Sequence, residues 1–317
     1  MTNFFCSENS RFLNEDLIGT AAHYETYILI EHPFPWAKNA FDSRDIPSNL
    51  KALTQEVKED KNSTSFLLIN RGKLNNTNHQ KVIIFSLKKG LSDGYKKQEF
   101  EVENIEEVAP TLRDKLLSNN DNLSGAGEGI RDILVCTHGA HDKCCAKYGK
   151  PFYKDAQTTI SNLSLDKVRI WQTSHFGGHR FAPTVIDFPS GRYYGLLDSE
   201  IFKSILIGSG DINLVSKAYR GWAKLPPIAQ TLERELLVLH HWDWLNFKVD
   251  CSLLEYRESN ELSQVELIFE APCGNTGKYI ADIFMNDNKT IYTKSGCDSD
   301  SDSKFTKYSA KNIRLEQ

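Results

Sequence analysis

Residues 132–145 read Asp-Ile-Leu-Val-Cys-Thr-His-Gly-Ala-His-Asp-Lys-Cys-Cys, and residues 175–183 read His-Phe-Gly-Gly-His-Arg-Phe-Ala-Pro. In the first stretch a strand, Asp132–Val135, runs straight into Cys136. A polar loop containing Gly139 then separates Cys136 from Cys145. A loop of that length folds back and brings two sulfurs to one ion or cluster, its ordering cost offset by ligand bonds. In the second stretch the adjacent Gly177 and Gly178 argue against a helix. They let the backbone turn both flanking imidazoles, His175 and His179, inward. Two soft sulfurs with two imidazoles form a metal-ligating constellation, and zinc and iron–sulfur are its leading occupants.

A single cysteine is usually a small buried hydrophobe, and a single histidine a satisfied core or surface residue. Four such residues at the ends of two strands that can lie side by side in one sheet favour coordination. The neighbours take supporting roles. Cys144 is the spare sulfur and reads as packing beside the site. His138 and His141 compete as ligands, but His138 reads as ordering the loop through a backbone hydrogen bond and His141 as solvated. Asp142 can cap the helix that follows. Ser174 and Arg180 flank the histidines and can tune the centre, the plain alternative for Arg180 being a structural ion pair. Pro183, entering a strand opposite the first strand-to-helix turn, has a thioredoxin-type placement, which predicts a cis peptide.

Working outward, the pattern 126–225 reads as strand (Asp132–Val135), helix (Ala146–Leu163), strand (Val168–Gln172), hairpin (Thr184–Phe188 with Arg192–Gly195) and two helices (Ser199–Ile207, Ile212–Trp222). Residues 1–125 carry a similar order: strand Tyr27–Glu31, helix Ile46–Lys58, strands Phe66–Asn70, Val82–Ser86 and Gln98–Val102, helix Val108–Leu117. The first half is therefore a related or degenerate thioredoxin-like α/β unit, or an unrelated α/β domain. The polar, glycine-rich stretch 118–129 marks the boundary. Residues 226–317 read as a small α+β region: helix Ile228–His241, then strands Lys248–Tyr256, Gln264–Glu270 and Lys278–Phe284. Asp298–Ser303 resembles the start of a calcium loop but lacks its glycine and closing glutamate, so it reads as a solvated loop.

The 317 residues are 40% hydrophobic with net charge −4, a soluble composition without the basic field that attracts nucleic acid or anionic membranes. No apolar run is long enough to span a bilayer, and residues 1–11 lack the basic start and apolar core of a secretion signal. Seven cysteines make an odd number for a disulfide framework, and three fall within residues 136–145. The expectation is a cytoplasmic protein with reduced thiols. Cys6 looks isolated, and Cys273 and Cys297 are near enough in sequence to approach each other.

The blocks Cys136-Thr-His-Gly-x-x-Asp-x-Cys-Cys145, Ser174-His-x-Gly-Gly-His-Arg-Phe-Ala-Pro-Thr184 and Tyr194-Gly-x-Leu197 resemble the sucrase/ferredoxin-like family of thioredoxin-like 2Fe-2S ferredoxins. So do Cys6-Ser-x-x-Ser-Arg11, Leu17-x-Gly-Thr-Ala21 and Trp242-Asp-Trp-Leu245. The resemblance implies a 2Fe-2S cluster held by Cys136, Cys145, His175 and His179, with Cys145 preferred to Cys144. It implies electron transfer or redox sensing rather than stand-alone catalysis, with an unknown redox partner protein. No carboxylate pair supports a glycosidase. Two neutral imidazoles in place of thiolates raise the reduction potential and couple it to pH. The alternatives are a zinc-stabilised structural module with the same ligands, and a thiol–disulfide oxidoreductase, which the lack of Cys-x-x-Cys weakens. The chain carries no dinucleotide-binding glycine fingerprint, so electrons come from another protein or a small reductant.

Overall fold

The computed structural model describes residues 4–59, 64–72, 79–117, 129–255 and 263–316. Nearly all of the polar stretch 118–129 lies outside the described residues. A short helix, α1 (Cys6–Phe12), precedes β1 (Thr26–Glu31), α2 (Ser48–Glu59), β2 (Thr64–Asn70), β3 (Gln80–Leu87), β4 (Tyr95–Val102) and α3 (Val108–Leu117). The second half runs β5 (Arg131–Cys136), α4 (Lys150–Asn162), β6 (Val168–Thr173), β7 (Thr184–Phe188), β8 (Arg192–Gly195), α5 (Ser199–Ile207), α6 (Ile212–Ala218) and β9 (Tyr219–Trp222).

These strands form one nine-stranded sheet in the order β4-β3-β1-β2-β6-β5-β7-β8-β9. β1 and β2 are parallel, β3 is antiparallel to β1 and β4 to β3. β5 and β6 are parallel, β7 is antiparallel to β5 and β8 to β7. The same order and orientation therefore occur twice, as β2-β1-β3-β4 and as β6-β5-β7-β8. This is a thioredoxin-like α/β arrangement in each half. The copies join through antiparallel pairing of β2 with β6, extended by Ser174, whose N–H donates to Leu68 O (2.8 Å) and whose Oγ accepts from Leu68 N–H (3.0 Å). The division drawn at residue 125 lies outside the described residues, and residue 225 falls just after β9.

Alternation along each strand sorts side chains to two faces. Ile28, Ile30, Leu68, Val82 and Ile84 face outward under α2 and α3, while Ile133 and Val135 face outward under α4 to α7. Tyr27, Leu29, Phe85, Leu134, Trp171 and Phe188 face inward, and Cys136 lies with them. The sheet curls so that both halves share this inner core: Phe85 stacks on Phe188 at 4.1 Å, and Tyr95 N–H donates to Pro189 O at 2.8 Å. Curling also brings the β4 edge across to β5 and β6. Asp132, fully buried, accepts from Lys97 Nζ (2.5 Å), Arg169 Nε (2.7 Å) and Trp171 Nε1 (2.9 Å). Arg169 also pairs with Glu99 (2.6 Å).

Beyond β9, α7 (Pro227–His240) packs Leu232 and Leu236 into one core with Val265, Leu267 and Ala281 of a four-stranded antiparallel sheet. That sheet is ordered β10 (Lys248–Glu255), β11 (Ser263–Glu270), β12 (Thr276–Met285) and, after a separate hairpin of β13 (Ile291–Lys294) and β14 (Asp302–Phe305), β15 (Tyr308–Glu316). The buried Arg192–Glu233 pair (2.5 Å) ties β8 to α7. The hairpin reaches back to α1, where Asn9 Nδ2 donates to Thr293 Oγ1 at 2.6 Å.

Three expectations change. The helix expected over Ile212–Trp222 stops at Ala218, because fully buried Tyr219 and Trp222 belong to an edge strand paired with β8. The helix expected from Ala146 begins as a π-helical turn, Cys145–Gly149, before α4. The C-terminal region, read as a helix and three strands, also carries the β13–β14 hairpin, which closes over the second half. The Ala182–Pro183 peptide is cis, as the sequence predicts. Among the described residues no helix is long and apolar enough to cross a membrane.

Removing the shared anion tests the seam. Asp132→Ala leaves Lys97 and Arg169 to share Glu99 and opens a hole at a fully buried position; it is expected to cost about 3–5 kcal/mol in urea unfolding. A loss under about 1 kcal/mol, the range of exposed pairs, would show that the seam contributes little.

Candidate metal centre

Cys136 sits at the inner-face end of β5, and the chain must reverse immediately. Two close approaches shape the reversal. A Cβ at Gly149 would lie 2.0 Å from Cys136 O, and one at Gly139 would lie 2.6 Å from Ala146 Cβ. Both positions need glycine for space, and both bring the π turn down onto the strand end. Cys145, the first residue of that turn, thereby lands beside Cys136.

The histidine loop enters from the far side. Gly177 (φ 93°) and Gly178 (φ 78°) adopt left-handed conformations before a 3-10 turn at His179–Phe181. His175 Nδ1 lies 3.7 Å from Cys136 Sγ and 3.7 Å from Cys145 Sγ, and the three donor atoms fall within 4.8 Å of one another. His179 comes within a 5.1 Å ring-centroid distance of His175. It belongs to a second compact triad, His141–His175–His179, that shares His175 with the first. The four residues expected as ligands thus meet as two overlapping groups.

The hydrogen bonds indicate which nitrogens are available. His179 Nε2 donates to Ser295 O at 2.8 Å, while its Nδ1 is buried and has no partner among the described residues. That tautomer leaves an unused lone pair in the interior. His138 has no nitrogen to spare: Nε2 donates to Ala37 O (2.7 Å) and Nδ1 accepts from His175 N–H (3.2 Å). It orders both loops at once. His141 is not merely solvated. Its ring stacks on His175 at 3.9 Å, and Nδ1 bonds Lys38 O at 3.3 Å. Burial, then nearby His141 and His179, pulls His175 down to about 2, so this imidazole is neutral and its lone pair is free. The Cys145 thiol is pushed up, first by its hydrogen bond with Cys136 and then by burial.

Other named residues lie elsewhere. Ser174 uses its N–H and hydroxyl across the β2–β6 seam. Arg180 forms a buried ion pair with Glu15 (2.9 Å) and packs over Phe305, so it plays the structural role. Cys144 turns away from Cys145 into a group with Cys6 and Cys297, at 3.5 and 3.2 Å. Cys6 is therefore not isolated, and Cys297 does not meet the exposed Cys273. Loop His32–Trp36 of the first half packs on the site, Trp36 meeting His138 edge-on at 5.7 Å.

Sequence reasoning missed Arg220. Its guanidinium is fully buried directly beneath Gly178, where a Cβ would come 2.5 Å from Cζ. It donates to Gly177 O (3.2 Å), Thr20 O (2.7 Å) and Thr20 Oγ1 (3.1 Å), and no carboxylate pairs with it among the described residues. Burial lowers it to about 10, still charged at neutral pH. The only sequence signal was a cation set in the aromatic run Tyr219-Arg-Gly-Trp222. A cleft of about 1040 Å3, lined by Tyr24, Phe41, His138, His141, His175 and Phe176, leads to the centre. Two thiols, neutral imidazoles and a buried orphan nitrogen fit a soft or borderline metal centre.

The family model described as sucrase/ferredoxin-like matches residues 17–221. Over 98 residues the chain is 33% identical to Altered inheritance of mitochondria protein 32 of Debaryomyces hansenii. That match takes in 28% of this chain and 34% of that protein, so the chain spans about a third of the relative's length. A thioredoxin-like [2Fe-2S] ferredoxin from Aquifex aeolicus aligns at 17% identity and a TM-score of 0.26, over 31% of this chain and 96% of that one.

Gly149→Ala tests the loop geometry. The added methyl must displace Cys136 O, with an expected loss of about 2 kcal/mol in unfolding free energy and a parallel drop in bound metal. Full metal content in this variant would show that the strand end and the π turn need not touch.

Proposed function

Because the chain belongs to the sucrase/ferredoxin-like family, we propose that it binds a 2Fe-2S cluster through Cys136, Cys145, His175 and His179 and serves as an electron carrier or redox sensor. The observation that carries this reading is the buried, unpartnered Nδ1 of His179 beside the Cys136–Cys145–His175 triad. A polar atom without water or a partner costs about 1–3 kcal/mol, and a metal ligand bond removes that cost. When bound, such a cluster supplies one-electron chemistry.

The chain's own residues set the conditions. Two neutral imidazoles leave the ligand set with less negative charge than four thiolates, which eases uptake of an electron. Arg220 adds a buried positive charge behind Gly178 and favours the reduced state. Ser295 O holds the Nε2 proton of His179 and fixes that ring's orientation. The cleft at His141 and His175 offers the approach for a redox partner protein, and nothing in the mild net charge favours nucleic acid or a membrane surface. A thiol-reducing compartment such as the cytoplasm suits this reading, since Cys136 and Cys145 must remain available as ligands.

The compact spacing of Cys136, Cys145 and His175 favours, as a second reading, a single zinc ion. Thiol–disulfide exchange is disfavoured, because it needs an accessible thiolate and these sulfurs are 1% and 0% exposed.

Anaerobically purified protein is expected to be coloured and to contain iron, and Cys136→Ala or Cys145→Ala to remove both; colourless protein with stoichiometric zinc would establish the second reading. In redox titrations the midpoint potential should fall as pH rises, by up to about 59 mV per unit, because the reduced form holds the imidazole proton more tightly. Arg220→Gln should lower the potential by on the order of 50 mV. A potential independent of both pH and Arg220 would contradict histidine ligation and the role given to the guanidinium.

A further inference from the structure

A second set of soft donors lies outside the centre just described. Cys6 opens α1, Cys144 precedes the π turn and Cys297 sits between β13 and β14. Their sulfurs form a triangle with sides of 3.5 Å (Cys6–Cys144), 3.2 Å (Cys144–Cys297) and 3.5 Å (Cys297–Cys6). All three residues are buried, in a pocket walled by Phe4, Phe5, Tyr148 and Ala182. The Asp142 carboxylate closes the group: its Oδ1 is 4.0 Å from Cys6 Sγ, and all four donor atoms lie within 4.8 Å of one another.

We propose that Cys6, Cys144 and Cys297, with Asp142 at the fourth position, form a structural site for a zinc ion, separate from the centre at Cys136 and Cys145. Tetrahedral zinc with Zn–S bonds of about 2.3 Å separates its sulfurs by about 3.8 Å, so the triangle needs only a small expansion to accept the ion. The surroundings suit thiolates. Cys6 N–H donates to Cys297 Sγ (3.4 Å) and Ser7 N–H to Cys144 Sγ (3.5 Å). Asp142 is held in place by Cys144 N–H (2.8 Å) and Cys297 N–H (3.1 Å), so two of the proposed ligands position the fourth. On binding, the three thiol protons leave to solvent and no electron moves.

The site has a structural consequence. It fastens residues near positions 6 and 297, which flank the 17–221 stretch matched by the family model, to the loop that carries Cys145. The same hairpin supplies Ser295 O to His179. Zinc here would staple α1 and the hairpin over the first centre.

The test separates the two centres. Full-length Cys136→Ala/Cys145→Ala protein should lose iron yet retain about one equivalent of zinc per chain. Cobalt(II) titrated into the metal-stripped form should produce sulfur-to-cobalt charge transfer and tetrahedral d–d bands. Cys6→Ser and Cys297→Ser should lose zinc while keeping the visible absorption of the first centre. If these variants fail to fold, wild-type protein remains decisive: absorption at the zinc edge should show a sulfur-dominated first shell alongside a separate iron signal. Absence of zinc from the wild type, or a Cys144–Cys297 disulfide by mass spectrometry, would overturn the proposal.

Discussion

The interior of this protein holds donor atoms that its own hydrogen bonds do not satisfy. Cys136 and Cys145 are buried against His175 Nδ1, and the buried Nδ1 of His179 has no partner among the described residues. Polar atoms in that state weaken a fold unless something outside the polypeptide restores their bonding. Zinc or an iron–sulfur core does so through ligand bonds, and the local structure makes sense as preparation for that event. Gly149 and Gly139 allow the first loop to close, Gly177 and Gly178 allow the second to turn, and His138 spends both nitrogens fastening them. Ligand orientation is thus set before any ligand bond forms.

The wider fold supplies walls. A thioredoxin-like half presents the Cys136 loop and the cis-proline strand on one side. Its counterpart, joined through β2 and β6, contributes loop His32–Asp42 and one side of the cleft. The C-terminal hairpin contributes the remaining side through Ser295 and Cys297. Three parts of the chain, far apart in sequence, therefore enclose one short segment. The buried Arg220 charge lies on the inner side of that enclosure, where solvent screens it least.

Much of the sheet was legible because its strands are apolar runs between turn residues, such as Tyr27–Glu31 and Val168–Gln172, and period-2 reading finds these directly. The candidate donors were legible because Cys and His are dense in two short blocks. The edge strand at Tyr219–Trp222 was not, since four residues following a helix carry too little pattern to separate from it. Nor was the group formed by Cys6, Cys144 and Cys297: contacts between positions 6 and 297 leave no local signature. The opposite fates of Cys144 and Cys145 follow from helical geometry, in which adjacent side chains point about 100° apart. Arg220 was hidden for a related reason, because an arginine shows its burial only through the tertiary packing around it.

The most direct test of the account is pulsed electron paramagnetic resonance on the reduced protein carrying 15N-labelled histidine. The account predicts hyperfine coupling from two histidine nitrogens, with one coupling lost in His179→Cys and the other retained. A paramagnetic reduced centre showing no coupling to histidine nitrogen would contradict it.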